Sequence, residues 1–573
     1  MPYPFFIDHK VCKKLSKGVF MEEIKTYADA IYQVKRGFLI IGLTGFTGSG
    51  CTTAMNILAS ERKPVLPDFE AVRGFADPDI DSRRYKRLQK TWESLEWKKF
   101  IPIEVAPVIF SLAAYQAINS KEDHEILGKV RGIVKDDHDE MAGLQYLYSG
   151  TERTEETAKQ LIGAYEKSRR LYGQFKNVST SGLSEFIELM QNLGDQIRKF
   201  GKVSPGNEAV PEPEHVFVLP EAIRRLIKAY RLAKQASHFV IDAFRNPYEV
   251  EYFKRRYSEF YLVGILRNSK DRIGSLMRSM SEDDVDKLEK RERGKSIKDR
   301  TQGNIAQWVT SQNIEEILQK ADVYMKNIDG NKSYPQLRFN LAKLIALVKE
   351  PGCITPTIDE RSMQIAMTAR QMSGCISRQV GAVVVNSDGY ILGVGWNDPP
   401  KGQIPCEMRT GKELVDSPKP DVFSEYERSE EFVNHIRENC YSDLPFCFRT
   451  EYARISTGKM TEFTRALHAE ENALFQSVRN AESGLKGSVL YTTASPCTLC
   501  AKKAYQLGIS RIVFIEEYPG IALEQTLKAG TQDIQIDQFE GIVGGAYFQL
   551  FSSLLPEKDL IQLYLPRSEL NAG

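Results

Sequence analysis

Three side chains in the last third of the chain have the types and spacing of a zinc site. They are His468, in the run His468-Ala469-Glu470, and the two cysteines of Pro496-Cys497-Thr498-Leu499-Cys500. One histidine and two cysteines leave the fourth tetrahedral position of zinc for a water molecule. Zinc lowers the pKa of that water, so that hydroxide is available at neutral pH. We therefore predict a hydrolytic zinc centre with His468, Cys497 and Cys500 as its ligands.

Glu470 is expected to move protons in this centre rather than to bind the metal. It would take a proton from the water, deliver it to a ring nitrogen of the substrate and later protonate the departing amine. Alone, a Cys-x-x-Cys pair is more often a structural zinc or redox site, and a His-x-Glu pair is usually a surface feature. Together, as H-x-E…P-C-x-x-C, they are typical of zinc deaminases.

The segments around these residues have the patterns of alternating helices and strands. The apolar period predicts a helix over 359–374, and the alternation over 379–397 predicts a hairpin that turns at Ser387-Asp388-Gly389. The run 488–494 predicts a strand. The helix expected from Cys497 onward would begin at the cysteine pair, where a helix N-terminus favours thiolate.

The segment from about 357 to 521 resembles the deoxycytidylate deaminases, which implies an α/β/α cytidine deaminase fold. The blocks that carry the resemblance are CISRQVGAVVV (375–385), GVGWNDPPKGQIPC (393–406), HAEENALF (468–475) and SPCTLCAKKAYQLGISRIVF (495–514). The resemblance implies that Asn397 binds the sugar 3′-hydroxyl and that the Ala469 backbone holds the pyrimidine edge. Arg378 would contact the nucleotide phosphate, with a surface charge as the alternative. The family's Asn-Gly after the aromatic residue is Asn397-Asp398 here, which would alter nucleotide contacts at that loop.

Four further cysteines suggest a second metal. Cys375 and Cys406 occupy places where some deoxycytidylate deaminases hold ligands of a structural zinc. The following segment adds Cys440 and Cys447, with His435 nearby. Four thiolates would make a closed, non-catalytic site. Buried free cysteines are the alternative interpretation.

A glycine-rich loop near the N-terminus has the pattern of a phosphate-binding loop. Residues 45–52 fit G-x-x-x-x-G-K-[ST] except that Cys51 replaces the lysine. Backbone amides can hold phosphates without that lysine, but phosphoryl transfer would be poor. We predict a nucleotide site without kinase activity, or a retained fold without a ligand. The candidate residues for nucleotide and Mg²⁺ are Gly45, Gly48, Ser49, Gly50, Cys51, Thr52 and the strand-end acid Asp242.

The length of 573 residues predicts two or three domains. Strands alternating with helices before Pro351-Gly352 predict a P-loop kinase-like domain at 1–350, built on a parallel sheet. This domain would contain a large helical insertion at about 76–235. Residues 351–573 would form the deaminase domain, so the whole chain is assigned to the α/β class.

Composition excludes several other classes of protein. Lys and Arg number 77 against 76 Asp and Glu, so no bulk charge attracts nucleic acid or an anionic membrane. No run approaches the roughly 20 apolar residues of a membrane span. The N-terminal residues lack a secretory signal pattern, and the nine cysteines are too few for a secreted disulfide framework. We expect a cytoplasmic protein, and a homo-oligomer.

A degenerate P-loop domain joined to a deoxycytidylate deaminase domain resembles the bacterial anti-phage deoxycytidylate deaminases of the AvcD type. That resemblance implies deamination of dCTP and dCMP, depletion of the nucleotide pool and an inhibitory small RNA as partner. The alternatives are a tRNA or DNA base deaminase and a nucleotide-sensing or RNA-binding regulatory module. An enzyme that acts on tRNA or DNA is expected to have a basic surface. The deaminase segment instead carries acidic runs such as Ser429-Glu430-Glu431.

Overall fold

The computed structural model describes residues 37–72, 78–120, 124–150, 154–179, 182–204, 209–294, 305–328, 333–456, 463–480, 484–517, 523–554 and 558. The N-terminal residues on which the secretory-signal prediction depends lie outside these ranges. Among the described helices, none combines the length and the apolar character that crossing a bilayer requires.

A six-stranded sheet organises the first part of the chain. Its strands are β1 (Leu39–Thr44), β2 (Ile101–Glu104), β3 (His238–Asp242), β4 (Phe260–Leu266), β5 (Val323–Lys326) and β11 (Gly541–Ile542). Their order is β11-β5-β4-β1-β3-β2, and all neighbours are parallel except β11 with β5. Strands β1 and β4 are buried at every residue, as expected for central strands covered by helices on both faces.

Helices surround this sheet and form most of the predicted insertion. In chain order they are α1 (Cys51–Leu58), α2 (Pro78–Ser94), α3 (Val105–Asn119), α4 (Glu125–Val134), α5 (Tyr146–Ser149), α6 (Glu155–Ser179), α7 (Leu183–Phe200), α8 (Val218–Lys234), α9 (Pro247–Arg256), α10 (Ser269–Leu276), α11 (Glu282–Glu292), α12 (Ile305–Thr310), α13 (Ile314–Gln319) and α14 (Pro335–Lys349).

The insertion predicted at about 76–235 is mostly helical, but it also contains one strand that the sequence pattern did not indicate. Residues Ile101–Glu104 form β2, the edge strand that pairs with β3. Pro102 has no backbone N–H to donate, so it is suited to an edge strand. The run of four residues is at the lower limit of the strand pattern, which explains why it was missed.

A second, five-stranded sheet carries the zinc-site segments. Its strands are β6 (Gly381–Val385), β7 (Ile391–Trp396), β8 (Val489–Ala494), β9 (Arg511–Glu516) and β10 (Gln535–Gln538), in the order β10-β9-β8-β6-β7. The predicted hairpin is the antiparallel pair β6–β7, whereas β8, β9 and β10 are parallel. The accompanying helices are α15 (Ile358–Arg370), α16 (Gly411–Asp416), α17 (Glu430–Asn439), α18 (Phe448–Ile455), α19 (Ala469–Asn480), α20 (Thr498–Gln506) and α21 (Gly544–Phe551).

The two sheets are joined by the last described part of the chain. Gly541 pairs with Tyr324 and Ile542 pairs with Val323, so β11 belongs to the first sheet although it follows all strands of the second. One buried cluster contains Tyr324 of the first sheet and Val513 of the second. The division at 350 remains a prediction, but the two halves share a core.

Candidate functional site

The side chains of His468, Cys497 and Cys500 meet beside the second sheet. Nδ1 of His468 lies 3.3 Å from Sγ of Cys497 and 3.4 Å from Sγ of Cys500. Bonds of about 2.0 Å to nitrogen and 2.3 Å to sulfur at tetrahedral angles would separate N and S by about 3.5 Å. The three ligand atoms therefore fit one zinc ion.

The second sheet fixes the position of His468 through its edge strand β7. The Leu467 N–H donates to the Asp398 carbonyl at 2.9 Å, directly before the histidine. A Cβ at Gly395 would lie 2.2 Å from the Ala469 carbonyl oxygen, so only glycine lets β7 approach the start of α19 this closely. These contacts place the histidine where α19 begins.

The cysteine pair lies at the N-terminus of α20. Cys497 caps the helix and Cys500 is in its first turn, so both sulfurs lie where the helix dipole favours negative charge. A hydrogen bond from Cys500, with a further contribution from His468, lowers the pKa of Cys497 to about 3. Thiolate is the form of cysteine that binds metal.

Glu470 lies in the first turn of α19, two residues after the histidine. Only 4% of the residue is exposed. Burial raises the pKa of its carboxyl to about 7, and the side chain hydrogen-bonds Cys500. A carboxyl with a pKa near neutrality can both accept and return a proton under physiological conditions.

Asn397 and Arg378 lie next to each other, and both are engaged by other groups of the protein. Oδ1 of Asn397 accepts from the Val380 N–H at 2.6 Å, and its Nδ2 donates to the Arg378 carbonyl at 2.7 Å. The Arg378 side chain forms an ion pair with Glu516, the last residue of β9. Asn397 therefore fixes the loop that carries Arg378, and their nucleotide contacts remain predictions.

Glu516 was missed by the sequence reasoning. It is 7% exposed and also accepts from Nε2 of Gln319, a residue of α13, at 3.0 Å. The signal available was an acidic residue at the end of the strand RIVFIE. Its partners, however, come from a distant part of the chain.

The four cysteines of the predicted second metal site do not come together as one group within the described residues, although Cys406 and Cys447 lie near enough to interact. Within the described ranges, His468, Cys497 and Cys500 are the only group of three or more His, Cys, Asp or Glu side chains close enough to share a metal ion. Cys440 instead hydrogen-bonds Glu451, and Cys406 lies beside Arg465, whose Nη1 is 3.9 Å from its sulfur. Cys375 and Cys447 likewise belong to no such group. The described residues therefore give no support for a closed four-thiolate site.

The glycine loop connects β1 to α1. Gly48 and Gly50 adopt φ of 85° and 109°, values that favour glycine. Thr52 Oγ1 donates to Oδ2 of Asp242 at 2.8 Å, so the two candidate Mg²⁺ ligands are adjacent. Burial, with Asp242 nearby, raises the pKa of the Cys51 thiol to about 12, which keeps it neutral.

A cavity of about 1070 Å³ lies against this loop. Its lining includes Gly48, Ser49 and Gly50 of the loop and the cationic side chains Arg245, Arg267, Lys270 and Arg278. Gly45 lies at the base of the loop, where a Cβ would come within 2.6 Å of the Ile265 carbonyl. The cations outnumber the acidic residues of the lining, Asp242 and Asp271, so the cavity is suited to an anion.

Residues 356–516 match the family described as the cytidine and deoxycytidylate deaminase zinc-binding region. This match and the geometry above define a deaminase of the cytidine deaminase class. The deoxycytidylate deaminase of Enterobacteria phage T2 is 31% identical over 160 residues, which cover 27% of this chain and 78% of the phage protein. The enzyme of Enterobacteria phage T4 is also 31% identical, over 27% of this chain and 76% of its own. The chain belongs to the deoxycytidylate deaminase family, and it is a deoxycytidine nucleotide deaminase.

Among solved structures, the apo dCMP deaminase of cyanophage S-TIM5 aligns over 32% of this chain and 100% of its own, at 24% identity and a TM-score of 0.20.

Proposed function

We propose that the enzyme hydrolyses the amino group of dCMP and dCTP at a zinc centre and releases ammonia, dUMP and dUTP. The observation that carries the proposal is the convergence of His468, Cys497 and Cys500 within 4.8 Å beside the buried Glu470. Zinc held by these three side chains would supply a water molecule of lowered pKa.

The remaining steps belong to Glu470. Its carboxylate takes the proton of the attacking water and delivers it to N3 of cytosine, which makes C4 more electrophilic. After addition at C4, the carboxylate takes the proton of the new C4 hydroxyl and gives it to the amino group, which leaves as ammonia while the C4 carbonyl forms. A pKa near 7 suits both directions of transfer.

We propose that the Ala469 backbone orients the base and that Asn397 orients the sugar through the remaining N–H of its amide. Arg378 would contact the phosphate. In the structure this arginine is paired with Glu516, so a substrate phosphate would have to compete with that carboxylate or share the guanidinium with it.

Incubation of the purified protein with dCMP, dCTP, CTP and single-stranded DNA tests the proposal directly. Uracil products should form from the two deoxynucleotides and not from the polymer. Deamination of the DNA, or of a tRNA added in the same way, would instead support a base deaminase. If none of the four substrates were deaminated, the result would support a regulatory module.

The resemblance to the AvcD type supports a wider role, which we propose as depletion of the cytosine nucleotide pool during phage infection. A small RNA would inhibit the enzyme, which would act in the cytoplasm as a homo-oligomer. The test is to measure dCTP in phage-infected cells that do or do not produce this protein. The proposed role predicts less dCTP in the cells that produce it.

We propose that the glycine loop binds a nucleotide, with Mg²⁺ between Thr52 and Asp242, and that occupancy controls deamination. Charged contacts link the loop to the deaminase site. Arg293 lies 4.7 Å from the ring centre of Phe46, a loop residue, and 3.8 Å from Glu315. Glu315 in turn hydrogen-bonds Glu516, which holds Arg378. A nucleotide that shifts the loop therefore has a route to Arg378.

Gly50→Val should abolish the response of deamination to added nucleotide. A Cβ at this position would lie 2.3 Å from Nδ2 of Asn327, and φ is 109°, so valine would distort the loop. Couplings of about 1–3 kcal/mol are typical, equivalent to a 5- to 150-fold change in response. The measurement is the deamination rate against titrated ATP or dNTP.

Gly132→Val is the matched control, because an added Cβ there meets nothing within 4 Å. Cys51→Lys, which restores the usual lysine, should tighten nucleotide binding without creating a kinase. Response curves that coincide with wild type in both loop variants would show that the loop is only a scaffold.

The structure leads us to expect one zinc ion per chain, although a second zinc was suggested by the sequence. Elemental analysis should find about one equivalent in wild type and in Cys440→Ser/Cys447→Ser, and a large loss in Cys497→Ser, which removes a ligand. Two equivalents in wild type and one in the double variant would establish the second site.

A further inference from the structure

The carboxyl group of Glu516 is buried against a second carboxyl group, which comes from a distant part of the chain. Glu516 ends β9, and its side chain hydrogen-bonds Glu315 of α13. Both residues line a small cavity of about 40 Å³. Glu315 lies outside residues 356–516, the segment matched by the deaminase family. The deaminase segment therefore has an acidic neighbour that it does not itself contain.

The two oxygens of Glu516 have different surroundings. Oε2 accepts from Nε2 of Gln319 at 3.0 Å and pairs with Arg378. Oε1 is buried, and within the part of the chain that the structure describes no N–H or hydroxyl group donates to it. Two ionised carboxylates cannot hydrogen-bond each other, because each of them only accepts. The contact between Glu315 and Glu516 therefore needs one proton between the two carboxyl groups.

The groups around the pair decide how firmly this proton is held. Burial raises the pKa of Glu516 above its usual range, Arg378 opposes the rise, and Glu315 adds to it. The pair thus keeps a proton at a pH where ordinary glutamates have lost theirs, and releases it to solvent as the pH rises further. The other charged or titratable groups that face the pair are Arg370 of α15, Tyr324 of β5 and, around the cavity, Arg267, Arg272, Arg293 and Glu517.

Loss of the proton changes the charge beside Arg378. The pair carries one negative charge while it holds the proton and two after losing it. The second charge strengthens the attraction of Glu516 for the guanidinium and repels an approaching phosphate. The Arg378 side chain is 25% exposed, so water screens these effects only in part. A phosphate dianion should therefore bind best while the pair holds its proton.

We propose that Glu315 and Glu516 share one proton, and that loss of this proton weakens the contact between Arg378 and the substrate phosphate. Glu315 is then a positioning residue, since it acts on the substrate only through Glu516 and Arg378. This role rests on the proposed phosphate contact of Arg378, and it adds a control supplied from outside the deaminase segment. Affinity for nucleotides should depend on pH in a way that affinity for nucleosides does not.

The first test is the pH dependence of KM for dCMP, divided by the inhibition constant of deoxycytidine. Deoxycytidine lacks the phosphate, so the ratio cancels the titration of groups near the base. Between about pH 7 and about pH 9 the phosphate of dCMP is already a dianion. One added negative charge near Arg378 should raise the ratio about three- to tenfold across this range. Glu315→Gln and Glu516→Gln each leave a single carboxylate, so in both variants the ratio should stay nearly constant.

Glu316→Gln is the matched control for these variants. Glu316 is the next residue of α13, its side chain is 38% exposed, and it accepts from Nδ2 of Asn313 at 3.1 Å. This variant should keep the wild-type pH dependence. Glu516→Gln should in addition lower KM at every pH, because Arg378 loses its carboxylate partner. A purely structural role of the pair would change the stability of the variants but not the pH dependence of the ratio.

Calorimetry of the zinc-loaded wild-type chain gives a second measurement, which does not require a variant to fold. The titrant is the product dUMP, and deoxyuridine is the control without a phosphate. Because the phosphate favours the protonated pair, dUMP binding at about pH 8 should take up a fraction of a proton. This uptake appears as a binding heat that changes with the ionisation enthalpy of the buffer. Deoxyuridine should take up less.

Three results would overturn the shared proton: a ratio that does not change with pH in wild type, a pH dependence that persists in both glutamine variants, or equal proton uptake with dUMP and deoxyuridine. Arg378→Gln separates this inference from the proposed function. If that variant leaves KM for dCMP unchanged, the phosphate contact itself is wrong, and the role of Glu315 is wrong with it. If it raises KM while wild type shows no pH dependence, only the role of Glu315 is wrong.

Discussion

Glu470→Ala should lower the rate of dCMP deamination by roughly 10²–10⁴, the usual contribution of a general acid–base group, while zinc content stays unchanged. Glu470 is buried beside the ligands but is not one of them. The fold and the metal should therefore survive its removal. The measurement is kcat for dCMP together with elemental analysis of the same preparation.

Glu471→Ala is the matched control for this prediction. Glu471 is the adjacent carboxylate, and it accepts from the backbone N–H of His468 at 3.4 Å and pairs with Lys503. Its loss should disturb the histidine slightly and cost far less activity. A Glu470→Ala enzyme that works at a near wild-type rate would show that another group transfers the protons.

Arg409→Met should destabilise the region around residues 406–448 by about 3–5 kcal/mol, the cost of breaking a buried ion pair. Arg409 is completely buried and pairs with Glu427, which is 1% exposed. Its guanidinium also lies 4.7 Å from the ring centre of Phe423. Methionine would keep the apolar contacts but leave the Glu427 charge buried without its partner.

Urea unfolding together with amide hydrogen exchange in this region gives the measurement. The double variant Arg409→Met/Glu427→Leu removes both charges and should recover much of the lost stability, because no charge remains unpaired. A single variant as stable as wild type would show that the region is held by other means, for example by a metal ion.

The sequence predicted the parts of the structure that depend on local pattern. The β6–β7 hairpin follows from alternation, and the convergence of His468 with Cys497 and Cys500 follows from two motifs at helix N-termini. The short strand β2 was missed because its place is decided by pairing with β3 rather than by its own residues.

Long-range partners were equally invisible in the sequence. Nothing near Arg378 indicates that Glu516 would pair with it, and spacing alone could not show that Cys440 would bond to Glu451. Side chains of one type can be grouped by sequence position, but only the packed chain decides which of them meet.

The strand Gly541–Ile542 has a consequence for any attempt to divide the protein in two. Because this strand completes the edge of the first sheet beside β5, a cut after residue 350 would leave the N-terminal fragment with an open edge, and the C-terminal fragment with the strand that fits it. Such fragments are complementary halves of one fold, so they should reassociate without a covalent link. A deaminase fragment produced alone would carry an unpaired strand and the apolar residues around it into solvent, and its low solubility would reflect this missing neighbour rather than a defect of the zinc centre.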